Sequence, residues 1–389
     1  MGLHPHRRAA ARPVPMGVAS HALARFAVRT DRTCARYRVG YSAQKMAHPL
    51  FSLISKIDRT HPGAGRLAAS CMLTQKAAKA MLVIAVPGTG KTTCIDWAAL
   101  QNPHGMIRFD SITRSGMAGM DKELSDYKGV LSVADLGAVD TLYSIKEASK
   151  VIALLCYEHR LNKRNVSIEI DITGFHGSAL ATIQPSSVQK LISGADWDSV
   201  LQDKLIRYYH LLRPLKIKNA PIEVEAKWGI ELDEVRIRAE LVNQCRAMVD
   251  SSVQQWSDAR AVQHWCDFYR AAAALANRQT VAKADVQAAH EVLRPLNLEP
   301  YLVLRQSLSS DRTFLADDAC MLTELATYSR LDHVRTVKNY RVSNRTLQRS
   351  IDRAGTWLIP GLRGKQEHLA SEQAIDVLKN SGYQIRGGS

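Results

Sequence analysis

The chain has 389 residues, 46% of them apolar, and a formal net charge of +15. That length supports two or three domains with a large core, and no apolar run approaches the roughly 18 residues needed to span a bilayer, so a soluble chain with no membrane partner is expected. Seven scattered cysteines (Cys34, Cys71, Cys94, Cys156, Cys245, Cys266, Cys320) with no CxxC pair argue against a disulfide framework or a structural zinc, which suits the reducing cytoplasm.

Taken in chain order, residues 1–49 carry nine basic residues and one acid, Asp31, and so account for +8 of the +15. Three readings fit: a basic arm for nucleic acid, an organellar transit peptide, or an extension ahead of a start at Met46. In any of these, residues 1–45 are expected to be disordered. Periodic patterning begins at "HPLFSLISKI".

"KAMLVIAV" is a short bulky apolar run suited to a strand buried on both faces. It leads into "PGTGKTT" and then into helical spacing in "KTTCIDWAALQ". Strand, glycine turn and helix form the context of the phosphate loop GxxxxGK[ST], here with Ala85 in the first position. Pro87, Gly88, Thr89, Gly90, Lys91, Thr92 and Thr93 are the candidate nucleotide contacts. Gly88 and Gly90 let backbone N–H groups face phosphate oxygens. Lys91 would reach the β- and γ-phosphates, Thr92 would ligate Mg²⁺, and the helix start favours the anion.

A nucleotide hydrolase also needs an acid at a strand tip to organise Mg²⁺ and water. "GVLSVADLGAVDT" offers Asp135 after the strand Val130–Val133, with Asp140 in reserve. A strand and loop are expected over 106–116, an amphipathic helix over 144–161, and strands over 166–173 and 178–187. Strands alternating with helices predict a parallel three-layer α/β domain.

On these residues the chain resembles AAA+ P-loop ATPases. Relatives of that kind often end the acidic strand in two acids, and here the first is Ala134. The resemblance implies ATP and Mg²⁺ as cofactors and a polar sensor after the next strand: Gln184, with Thr182 as second choice. It also implies an arginine finger on a helix over 197–215, Arg207 first and Arg213 second, reaching a neighbouring subunit of a homo-oligomer. Helices over 233–256, 258–279 and 281–296 then resemble the family's lid, whose sensor arginine would be Arg260, or Arg270.

"DDACMLTELATYSRLDHVRTVKNYRVSNRTLQRSIDRAGTW" predicts a helix, a second helix "HVRTVKNYR", a turn "VSN" and a third helix "RTLQRSIDRAG". Val334, Val337, Val342, Leu347 and Ile351 are expected to pin the last two together, and Asn344 or Ser343 to cap the third. This resembles a helix-turn-helix, with a wing turned by Gly361 and Gly364. Between Arg330 and Arg353 lie seven basic residues and two acids. Arg341, Asn344, Arg345, Arg349, Arg363 and Lys365 are the candidate DNA contacts.

The expected boundaries are 46–225 for the nucleotide-binding core, 226–300 for the lid and 310–389 for the winged domain. The layout resembles archaeal origin-recognition initiators and bacterial branch-migration motors over roughly residues 50–389. It implies an ATPase acting on DNA in replication initiation, helicase loading or mobile-element handling, nucleoid-associated when bound, with a replication or transposition partner. Two rivals stand beside it: an ATP-gated transcriptional regulator with little turnover, and an adaptor that binds protein only.

Overall fold

Bulky apolar segments assemble the centre of the protein. A computed structural model describes residues 48–110, 112–113, 115–136, 141–164, 169–192, 197, 201–212, 221–302 and 318–383. The expectations for residues 1–45, Asp140 and Arg213 lie outside them. The described residues open with helices α1 (Pro49–Thr60) and α2 (Gly65–Lys76), then strand β1 (Ala80–Ile84), helix α3 (Lys91–Leu100), and strands β2 (Met106–Phe109) and β3 (Val130–Val133). Helix α4 (Leu142–Glu158), strands β4 (Arg160–Arg164), β5 (Glu169–Thr173) and β6 (Ser178–Ile183), helix α5 (Pro185–Ile192) and strand β7 (Leu205–Tyr209) complete this half.

Five of these strands form one parallel sheet in the order β2-β3-β6-β1-β7. Every residue of β1, β3, β6 and β7 is buried, as strands covered by helices on both faces require. The expected α/β architecture with a parallel sheet is therefore present. Its details differ in several places: the strand expected over 178–187 ends at Ile183, where Pro185 starts α5, and the described part of the strand expected over 166–173, β5, pairs antiparallel with β4 outside the main sheet. Residues 205–209 form β7 rather than part of a helix. The helix expected over 144–161 stops at Glu158, because His159 turns left-handed at φ 55° and the chain enters the β4–β5 hairpin.

Helices α6 (Ala239–Met248), α7 (Asp258–Leu275) and α8 (Lys283–Val292) follow. Of the single helix expected over 233–256 only α6 is α-helical, with short 3₁₀ turns at Leu232–Glu234 and Ser251–Val253, since Arg236 bridges to Thr280 in extended conformation. Helices α7 and α8 pack with α1 and α2 around Leu53, Ile57, Leu73, Phe268 and Ala289. His48 caps α1 by accepting from Leu50 N–H and also bonds Asp285 of α8 at 3.2 Å. Asp285 is held in turn by Arg278.

The last elements are α9 (Ala319–Tyr328), β8 (Arg330–Asp332), α10 (His333–Tyr340), α11 (Asn344–Ala354), β9 (Leu358–Gly361), β10 (Gly364–Ala370) and α12 (Glu372–Asn380). The strands form an antiparallel sheet in the order β8-β10-β9. Ser343 caps α11 by accepting from Thr346 N–H at 3.0 Å, so Asn344 is the first helical residue and not the cap. Leu347 and Ile351 are buried and Val337 and Val342 partly so. Val334 does not pin the helices; it is 73% exposed. Gly364 takes φ 59° at the β9–β10 turn, a conformation that glycine adopts without strain. No helix among the described residues is long and apolar enough to cross a membrane.

Candidate nucleotide-binding site

The glycine loop leaves the carboxyl end of β1, which lies between β6 and β7. In open parallel sheets that edge is where ligands bind. Gly88 and Gly90 have φ values of 79° and 76°, the left-handed region, with Thr89 between them. Pro87 and Gly88 are exposed and Thr89 is buried. The Thr89 hydroxyl donates to Val86 O at 3.1 Å and ties the loop to itself. Gly90 heads α3 with no side-chain cap and no acid in the first turn. The first N–H groups of α3 are thus left for an anion. Thr92 is half-buried and Thr93 exposed in that turn.

Lys91 donates to Ala85 O at 3.0 Å, so its ammonium lies back over the loop. Burial pushes its pKa below the usual lysine range, and Asp135 opposes that shift. Asp135, half-buried just beyond β3, stands at the same carboxyl edge of the parallel sheet as the loop. Gln184 stands just beyond β6 and heads α5, where its carbonyl accepts from Ser187 and Val188 N–H. The Thr182 hydroxyl donates to Ala134 O and ties the tips of β6 and β3 together. Neighbouring strand tips thus bring Asp135, Gln184 and the loop to one edge, and a cation, a carboxylate and free N–H groups converge there. A triphosphate with a divalent ion fits such a set chemically.

Sequence reasoning missed His210. It follows β7, is buried, and its Nε2 lies 3.1 Å from Thr89 O. Burial pulls its pKa down to about 4, so the ring is neutral and donates. An unfolded histidine binds its proton near pH 6.5. Stability from a neutral His210 is complete above that pH and is lost as pH falls toward 4. Between pH 7 and pH 5 we expect about 2 kcal/mol of unfolding free energy to go from this residue alone. Urea titrations of wild type and His210→Gln at both pH values measure it, and equal losses in the two proteins would refute it.

Two arginines stand elsewhere than expected. Arg207 lies inside β7, fully buried, with Nε 2.7 Å from Glu299 Oε2 and Nη1 donating to Gln202 O and Leu205 O. Gln254 donates to the same carboxylate at 3.0 Å. Arg207 is therefore an internal strut, its guanidinium buried and anchored on Glu299 although Nη2 itself has no partner among the described residues. Arg260 stacks 5.2 Å above Tyr157 at the end of α4. Lys79, which immediately precedes β1, approaches the same ring at 5.0 Å. That is the amino end of β1, about 15 Å along the strand from the loop, so Arg260 is not placed to sense nucleotide. Arg270 is occupied by Leu232 O and Val235 O.

The C-terminal cations divide into two groups. Arg330 pairs with Glu367, Arg335 with Glu324 and Arg353 with Asp318. Lys338, Arg341, Arg345 and Arg349 are exposed and form no ion pair among the described residues. Arg345 and Arg349 sit one turn apart on α11, opposite its buried Leu347 and Ile351. Arg363 lies in the β9–β10 turn, 3.9 Å from Asp332, and Lys365 follows on β10. A groove of about 500 Å³ between α10 and that hairpin is lined by Val334, Arg335, Lys338, Asn339, Arg363 and Gln366 together with the acid Asp332.

No family model matches the chain, and no curated protein matches it. Among solved structures, it is similar to a chain from Cytophaga hutchinsonii described as a "putative ATPase", at 12% identity with a TM-score of 0.39, over 69% of this chain and 90% of that one.

Proposed function

We propose that the chain is an AAA+ P-loop ATPase that binds DNA through a C-terminal winged helix-turn-helix. Residues 46–225 are the core, 226–300 the lid and 310–389 the DNA-binding domain. The observation that carries the proposal is the uncapped glycine turn at the carboxyl end of β1, with Lys91 folded over it and Asp135 at the neighbouring strand tip. Gly88, Thr89, Gly90 and Lys91 would hold the phosphates, while Thr92 and Asp135 would hold Mg²⁺. A divalent ion held there would neutralise phosphate charge. Gln184 orients the attacking water. Calorimetry with ATP and magnesium tests the binding step, and absence of affinity sinks the proposal.

The helix order α9, α10, α11 with the β9–β10 hairpin suits a winged domain, and the four exposed cations suit a polyanion. Arg345→Ala and Arg349→Ala should each weaken duplex binding across sequences and lower the slope of log K against log salt by about one. Fluorescence anisotropy at several salt concentrations reads this, and unchanged slopes favour the protein-binding adaptor instead. Assembly as a homo-oligomer with a replication or transposition partner belongs to the same proposal. Light scattering with and without ATP tests the self-assembly.

One observation favours the switch reading. The tip of β3 carries Ala134 ahead of Asp135, and the Ala134 carbonyl is occupied by Thr182. A single acid beside the metal suits slow turnover. Hydrolysis measured with and without duplex DNA separates motor from switch: stimulation supports the motor, and tight ATP binding with negligible turnover supports the switch.

A further inference from the structure

The end of the described chain reaches back to the glycine loop. Helix α12 closes in "LKNSGY", where Gly382 takes φ 89°. Gly382 N–H bonds Lys379 O at 2.9 Å and Tyr383 N–H bonds Leu378 O at 3.0 Å. These paired bonds are a Schellman turn, and they fix where the tyrosine leaves the helix. Tyr383 is 3% exposed. Its hydroxyl donates to Tyr209 O and accepts from Leu211 N–H at 3.3 Å. Those two backbone groups flank His210. His210 N–H bonds Ile84 O at 2.9 Å, and its ring bonds Thr89 O at 3.1 Å.

We infer that Tyr383 and His210 are positioning residues for the phosphate loop, and that through them the C-terminal domain sets the loop's grip on nucleotide. This rests on the ATP-binding reading above. The peptide between Thr89 and Gly90 is planar, so anchoring the Thr89 carbonyl on His210 aims the Gly90 N–H the opposite way. The His210 ring is set by its own backbone, and Tyr383 holds that backbone on both sides. A buried hydroxyl that satisfies one carbonyl and one N–H cannot leave without orphaning both. Movement of α12 when the domain engages its ligand is therefore passed to β7, to His210 and to Thr89. Arg294, which donates to Asn380 O at 3.1 Å, makes a second tie between α12 and the segment after α8.

Tyr383→Phe keeps the ring and removes the hydroxyl, and His210→Leu keeps the volume and removes the donor. Each should raise the Kd and KM for ATP about three- to tenfold, the scale of one hydrogen bond, with kcat little changed. The double variant should be no weaker than the weaker single, because both act through one contact. A merely structural role would lower the urea midpoint and leave Kd alone. Unchanged Kd, or losses that multiply in the double variant, overturn the inference. In wild type, hydrogen exchange at Leu211 should slow on adding ATP, and unaltered exchange overturns it without any variant. Wild type with no ATP affinity sinks the ATP-binding reading itself, whereas tight wild-type binding with an indifferent Tyr383→Phe sinks this inference alone.

Discussion

Lys91→Ala is expected to lower ATP turnover at least a hundredfold and ATP affinity ten- to a hundredfold, while leaving the protein folded. One preorganised donor facing developing charge is worth about that much in rate. A hydrogen bond from a charged group contributes about 1.5–3 kcal/mol to binding, which gives the affinity range. The fold should tolerate the change because the ammonium is already penalised by burial. Its loss removes a desolvated charge, frees the Ala85 carbonyl and takes a favourable charge away from Asp135. Asp135→Ala, measured beside it, should lose turnover while keeping most of the nucleotide affinity, since the phosphates keep their backbone donors and Lys91. Calorimetry and a phosphate-release assay on the same preparations decide both. Normal turnover in Lys91→Ala would leave the glycine loop a turn without chemistry.

Glu299→Ala should destabilise the protein by about 3–5 kcal/mol, the cost of leaving one member of a buried ion pair without its partner. Arg207 and Glu299 are 0% and 1% exposed. Burial raises the Glu299 pKa, with Arg207 opposing it, so the pair is held by mutual attraction where water cannot replace either partner. The double variant Arg207→Met/Glu299→Leu should recover most of the loss, because well-packed apolar side chains in place of a buried pair are often neutral or better. Urea unfolding of the three proteins measures this. A Glu299→Ala protein as stable as wild type would mean that Arg207 has another route to solvent, and would return it to consideration as a finger.

The glycine loop could be read from the sequence because every cue was local: five apolar residues, two glycines and a helical spacing lie within about 20 positions. The turn before α11 was legible for the same reason, although the choice between Asn344 and Ser343 as cap turned on a single hydroxyl. β7 was not legible. "LIRYY" carries an arginine where a buried strand should be apolar, and the partner that neutralises it lies 92 positions away. β4 was hidden too, since "RLNKR" buries only Leu161 and is a strand because β5 pairs with it. His210 gave no signal at all. A histidine after an apolar run is common, and only the folded chain brings it to Thr89. The place of Arg260 over Tyr157 was not legible for a geometric reason: helical spacing says which face a residue occupies, not which end of the sheet that face meets.

The bond between His48 and Asp285 also has a consequence for biosynthesis. The two residues are 237 positions apart. At about 5–20 residues per second, a ribosome needs roughly 10–50 s to deliver the second after the first. During that interval the apolar stripe Leu50, Leu53 and Ile57 has α2 beside it but neither α7 nor α8. The newborn amino-terminal helices therefore wait with a sticky face uncovered, and the interval is long enough for a chaperone to bind there before the bundle closes.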